Sequence, residues 1–400
     1  MGEVELVSAF GRDGIEVVHL ERQPARGTVG RHPFPLLDLR TRSEAEYEAA
    51  AKPHPFGRHV AWLRHHFAED LPLKEDPLFR AGPVMIFRGS VWFRNEPVLG
   101  SVHARQVAEL GQWQKKVRSF ENSPTIPRYP GTTAIIQAPG ARNYFHWMIE
   151  VSPRLLALRE YLRQGAGPLD RVLLFYDGPA RFITESIEFL YPDLAGRIEY
   201  STKPLCALEN CLFFTDQTRY ENHNSRWKPT TAFLSEEIDD QLAALPPRQG
   251  PGRAILVTRT DAPTRRLVNE DLLLEAFAPE GLERVAFGDL HLRDQMKVMA
   301  DARLVMGVHG AGMTNLLFCR PGTAVVEFTS TQYIRRCRSF ADIAMHRRLP
   351  YALAVLDQHG DKWVIEQNRG NDLELAEGMV PTLRETVTAL MRQDAAAETV

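Results

Sequence analysis

Along most of the chain, short apolar runs alternate with stretches in which apolar residues recur every three or four positions. From residue 83, "PVMIFRGSVWFRNEPVLG" predicts a β-hairpin or meander. A strand–helix rhythm then begins: strand at 133–138 ("TAIIQA"), helix at 144–163, strand at 171–176 ("RVLLFY"), helix at 180–191, strand at 211–215 ("CLFFT"). "LPPRQGPGR" at 245–253 breaks all periodicity with three prolines and two glycines, the composition of a linker. The rhythm then restarts: strand at 254–258 ("AILVT"), helix from Asn269, strand at 284–287 ("RVAF"), helix at 293–302, strand at 304–308 ("LVMGV"), short helix at 313–318, strand at 324–328 ("AVVEF"), helix at 332–345. Such alternation predicts parallel βαβ units, hence an α/β fold of two parallel-sheet domains joined by a hinge and facing a cleft.

The expected organisation is a peripheral segment of helix and loop over 1–80, α/β domains over 81–245 and 246–378, and a C-terminal helix and tail over 379–400. The amphipathic stretch near 380–392 either crosses back onto the first domain or serves an interface.

Composition narrows the function classes. The 400 residues are 44% hydrophobic and 25% charged, which is ordinary for a globular protein. A net charge of -3 exerts no global pull on nucleic acid or acidic membranes, so any polyanion site is local. No apolar run approaches a membrane span, and "MGEVELVSAFGRDG" lacks the basic start and apolar stretch of a signal peptide. Cys206, Cys211, Cys319 and Cys337 have no zinc-type spacing, and the near-acceptor at Asn122 is followed by Ser-Pro. Together these predict a reducing cytosol.

Three stretches carry candidate chemistry. In "GVHGAGMTN" (307–315), Gly307, Gly310 and Gly312 permit positive φ and remove Cβ atoms between a buried strand and a helix start. Free N–H groups and the helix dipole make phosphate the usual guest of such a turn; a tight turn with a satisfied histidine is the structural alternative. A dinucleotide fingerprint fails because Asn315 stands where the third glycine belongs, which counts against an NAD-dependent oxidoreductase. A hydrolase-type oxyanion loop fails because no G-x-S-x-G elbow occurs.

In "NYFHWMIE", Asn143, His146 and Glu150 fall on one helical face, while Phe145, Met148, Ile149 and Ser152 can face the sheet. They are either a polar site at the carboxyl edge of a sheet or an N-cap with a surface His/Glu pair. In "VTRTDAPTRRLVNED" (257–271), Arg259, Arg265 and Arg266 crowd a loop after a strand, as phosphate-binding forks or as a solvated loop. Glu327 can bond a ribose diol or cap a neighbouring helix.

In this order, "NYFHW…E", "TR…RRLVNED" and "DQMKVMADARLVMGVHGAGMTNLLFCRPGTAVVEF" resemble glycosyltransferase family 61, over roughly residues 130 to 330. That group includes plant xylosyl- and arabinosyltransferases, animal O-linked N-acetylglucosaminyltransferases and bacterial capsule or cell-surface polysaccharide enzymes. The resemblance implies a GT-B fold, two Rossmann-like domains with the nucleotide-sugar donor held mainly by the C-terminal one, and inversion at the anomeric carbon. Arg259, Arg266, Asn269 and Glu270 match the family's Arg…Arg-x-x-Asn-Glu motif; His309, Gly310, Ala311, Gly312, Thr314 and Asn315 match its loop; Glu327 matches the acid ending its next strand. These residues are expected to bind the donor.

Glu150, where several members have Asp, is expected to be the acceptor-contacting base, with His146 sharing its proton or orienting it and Asn143 on the acceptor side. No Asp-x-Asp occurs, so neither an essential metal nor a cofactor is expected. The expected partners are a UDP-sugar co-substrate and a glycan or lipid-linked glycan, with no nucleic acid, in the cytoplasm or peripherally at the inner face of the cell membrane. A non-catalytic nucleotide-sugar-binding component of a glycan assembly complex is the second reading.

Overall fold

Strands that are apolar on both faces need cover on both, and Arg253–Val257, Ala302–Val308, Ala324–Thr329 and Tyr351–Val355 are buried along nearly their whole length. In the computed structural model they form a parallel six-stranded sheet, in the order Leu282–Val285, Arg253–Val257, Ala302–Val308, Ala324–Thr329, Tyr351–Val355, Leu36–Asp38. The structure describes residues 12–20, 28–29, 34–41, 71–72, 77–98, 101–102, 108–136, 140–176, 178–215, 229–248, 250–330, 338–359 and 371–397.

The chain forms two compact units, one of residues 1–27, 73–223 and 227–236, the other of 28–72, 224–226 and 237–400. In the second, one sheet face carries Leu304, Met306, Val308, Val326 and Phe328, packed with Leu383, Val387 and Leu390. Those three leucine and valine positions come from the helix Val380–Ala397, so its apolar stripe is part of the second unit's core. On the other face Gly307 makes room for Met313: a Cβ there would lie 2.6 Å from Met313 Sδ and 3.0 Å from Val257 Cβ.

The first unit is built on a nine-stranded mixed sheet. Ile198–Tyr200, Arg171–Leu174, Arg128–Ile135 and Leu205–Phe214 are parallel neighbours. The ten-residue strand Leu205–Phe214 then divides its free edge: Leu205–Leu208 pair antiparallel with Val84–Phe87, and Cys211–Phe214 with Leu78–Ala81. The meander expected from 83 is present as Val84–Phe87, Ser90–Phe93 and Glu96–Pro97. Among the described residues no helix is long and apolar enough to cross a membrane.

Local departures from the sequence pattern have physical reasons. The described parts of the first 80 residues are short strands with turns and coil, and none is helical: Ile15–Val18 pairs with Leu78–Ala81, and Leu36–Asp38 extends the second sheet beside Tyr351–Val355. The strand expected at 284–287 sits at Leu282–Val285, and the short helix at 313–318 is a 3-10 helix over Ala311–Phe318. The helix expected over 332–345 is described from Arg338 to His346; residues 331–337 lie outside the described residues. The helix over 144–163 is interrupted by a π turn, Trp147–Val151, closed by Ser152 N–H donating to Trp147 O at 2.8 Å. A π turn displaces a carbonyl from the regular ladder, and Thr231 Oγ1 donates to the Ile149 carbonyl at 3.1 Å.

Candidate active site

In an open α/β sheet, ligands bind beyond the carboxyl ends of the strands where the strand order reverses. Here the chain runs outward from Arg253–Val257 to Leu282–Val285, then returns to Ala302–Val308 on the other side. The loop after Val257 carries Arg259 and Arg265; the turn after Val308 carries His309 to Gly312. Both loops meet at this crevice, because Arg265 Nη1 donates to the His309 carbonyl at 2.6 Å, and a Cβ on Gly310 would fall 2.8 Å from Arg259 Cζ.

The glycines act here by lacking a side chain rather than by positive φ. Gly310 is extended at φ -178, and neither Gly307 nor Gly312 falls among the positive-φ residues. The residue that does take the left-handed conformation is Arg265, at φ 60, where a non-glycine residue is strained. Arg259 is held against the turn by donating to the carbonyls of Arg265 at 3.0 Å and Thr264 at 3.1 Å. The His309 amide donates to Phe328 O and the Met313 amide to Gly310 O. Among the described residues the amides of Gly310, Ala311 and Gly312 have no backbone acceptor, and the Arg259 and Arg265 side chains lie against this turn.

The other residues matched in this unit are placed differently. Arg266, exposed, forms an ion pair with Asp372 at 2.7 Å. Asn269 grips the Leu375 backbone, its Nδ2 donating to Leu375 O at 2.7 Å and its Oδ1 accepting from Leu375 N at 3.1 Å. Glu270, buried, accepts from Thr258 Oγ1 at 2.9 Å and from Arg284 Nε at 2.9 Å. Asn315 is buried and donates to Gln295 Oε1 at 2.9 Å. Thr314 is buried, with no hydrogen-bond partner for Oγ1 among the described residues. Glu327, fully buried, lies 2.5 Å from His309 Nδ1 and accepts from Tyr351 Oη at 2.5 Å.

In the first unit Asn143 caps the helix, its Oδ1 accepting from Phe145 N at 3.0 Å. His146 Nδ1 and Glu150 Oε2 are 3.0 Å apart. The π turn takes Glu150 inside: its side chain is 1% exposed, against 32% for His146. Gly140 turns tightly against the imidazole; a Cβ there would lie 2.9 Å from His146 Cδ2. Among the described residues no group of three His, Cys, Asp or Glu is arranged to hold a metal ion.

Arg265 and Tyr351 were not singled out as site residues by motif. The Arg265–Arg266 pair held part of the signal, but which guanidinium turns inward follows from the φ of Arg265. Nothing in local sequence ties Tyr351 to Glu327.

The fold and site define a parallel α/β unit with two arginines against a glycine-containing turn at its switch point. Residues 144–326, a little under half of the chain, match the family model for Glycosyltransferase 61. A beta-1,2-xylosyltransferase from Oryza sativa subsp. japonica is 35% identical over 65 residues, which is 16% of this chain and 12% of that protein's length. Both matches agree with the resemblance to glycosyltransferase family 61.

Proposed function

We propose that this chain is an inverting, metal-independent glycosyltransferase. It moves a sugar from a nucleoside-diphosphate donor, with UDP as the preferred carrier, to a hydroxyl of a glycan or lipid-linked glycan in bacterial cell-surface polysaccharide synthesis at the cytoplasmic face of the membrane. The proposal includes a GT-B arrangement, with the donor on the second unit. The observation that carries it is the convergence of Arg259, Arg265 and the Gly310–Gly312 amides at the strand-order reversal. A departing diphosphate gathers negative charge as the glycosidic bond breaks, and fixed N–H donors and guanidinium groups stabilise it without reorganising.

The exposure difference supports direct contact of His146 with the acceptor and an orienting role for Glu150, in place of the order expected from the sequence. With Nδ1–H held by the Glu150 carboxylate, His146 Nε2 takes the acceptor hydroxyl proton. The acceptor oxygen attacks the anomeric carbon opposite the nucleotide, and configuration inverts as the nucleoside diphosphate leaves.

Thermal-shift measurements with UDP, GDP and NAD test the donor class. Stabilisation by UDP or GDP supports transfer, and stabilisation by NAD alone refutes it. Mass spectrometry of products from a donor panel, with and without EDTA, then tests activity and metal independence. His146→Ala and Glu150→Gln should each cut turnover by about 10² to 10⁴ with UDP binding retained. Nucleotide binding with neither transfer nor slow donor hydrolysis would favour the non-catalytic assembly component.

A further inference from the structure

One buried polar cluster of the second unit runs from His309 in the turn back across the sheet. Parallel pairing places Gly307 beside Glu327 and Val325 beside Tyr351. Because side chains alternate along a strand, His309, Glu327 and Tyr351 fall on one face of three adjacent strands. Tyr351 Oη donates to Glu327 Oε2 at 2.5 Å, and Glu327 Oε1 lies 2.5 Å from His309 Nδ1. Aromatic rings fix both ends: Phe340 packs edge-on against the His309 ring and Phe34 against Tyr351, each with centroids 4.8 Å apart.

The Tyr351 phenol donates to one Glu327 oxygen, and an ionised carboxylate accepts through the other, which places the proton between Glu327 and the ring on Nδ1. A carboxylate fully out of water is expensive unless a cation accompanies it, and the imidazole is the group at hydrogen-bond distance able to become one. Opposing this are the Arg265 guanidinium on the His309 carbonyl and Arg259 against Gly310. The helix Arg338–His346, which supplies Phe340, also carries the buried Asp342.

We infer that Glu327 and Tyr351 are positioning residues that fix the His309 ring with its proton on Nδ1 and supply the counter-charge for a second proton. His309 then meets the leaving diphosphate as an imidazolium, adding a third cation beside the two arginines. This rests on the donor site proposed above. It gives Glu327 a role different from a ribose contact, since both of its oxygens are already bonded within the protein.

UDP affinity of the full chain, titrated calorimetrically between about pH 5.5 and 9, tests it. A cationic ring that binds phosphate loses affinity as pH rises and the ring deprotonates. Glu327→Gln should move that loss about one pH unit lower, which is about tenfold in Kd on the falling limb. Tyr351→Phe should move it the same way by less, and His309→Gln should flatten the profile. A wild-type profile independent of pH, or a Glu327→Gln profile shifted only vertically, overturns the inference. The ¹⁵N resonances of His309 in ligand-free protein give a readout that survives failure of the donor-site reading. Nδ1–H with strong deshielding is expected, and a bare Nδ1 refutes the relay even if UDP binds. If Glu327→Gln does not fold, Tyr351→Phe and the wild-type resonances decide.

Discussion

Gly307, near the end of a strand, and Gly310, in the turn that follows, stand three residues apart, yet replacing each by alanine should damage different properties. At Gly307 the new Cβ meets Met313 Sδ at 2.6 Å and Val257 Cβ at 3.0 Å, both inside the packed core. Both neighbours are packed inside the core, so overpacking should cost about 1–3 kcal/mol. At Gly310 the backbone is already extended, and the obstruction is the Arg259 guanidinium, with Cζ at 2.8 Å. That flexible group can swing away, losing its bonds to the carbonyls of Arg265 and Thr264 at about 0.5–1.5 kcal/mol each before water replaces them. Stability should therefore fall by about 1 kcal/mol. The displaced guanidinium also loses its hold on the diphosphate, and a charge-assisted bond of about 1.5–3 kcal/mol translates to about 10- to 150-fold in Kd. Thermal denaturation and UDP calorimetry on the two variants separate the effects: Gly307→Ala should show the larger drop in Tm with residual UDP affinity in the folded fraction, and Gly310→Ala the smaller drop in Tm with loss of UDP. A folded Gly310→Ala that binds UDP within about twofold of wild type would refute the placement of Arg259 in the donor site.

Asn269→Ala should destabilise the second unit by about 1–3 kcal/mol in urea melts, by freeing both backbone groups of Leu375, while KM for the donor stays unchanged in the folded enzyme. Burial alone would raise the Asp372 carboxyl, but bonds from the Arg266 side chain and amide outweigh it and hold the carboxyl below its usual value. Its folded-state value lies below the unfolded one, so its stabilisation is present above the ordinary carboxylate range and is lost as pH falls through the depressed value. Asp372→Asn should flatten that acid limb in pH-resolved denaturation. Burial pushes the Cys206 and Cys319 thiols up to about 12 and Cys211 well above its usual value. Thiol titration of native protein near pH 8 should therefore find none of these three reactive, and all four cysteines after denaturation.

The sequence by itself determined most strands of the two sheets and the small-residue character of the turn at 309–312. Runs such as "AILV", "LVMGV" and "AVVEF" are apolar because parallel strands are covered on both faces, and that composition is visible without coordinates. Gly310 between a buried strand and a helix start was legible for the same reason, because lacking a side chain is a property of the residue itself. Tertiary structure decided whatever depended on which strand lies beside which. Leu36–Asp38 joins the second sheet through hydrogen bonds to a strand more than 300 residues later, which no local pattern encodes. Arg265 rather than Arg266 reaches the His309 turn because one residue takes positive φ. One π turn carries Glu150 inside and leaves His146 at the surface. The His309–Glu327–Tyr351 relay exists only because parallel register puts three separate strands on one face. Local chemistry writes each residue's capacity, and long-range register selects which capacities meet.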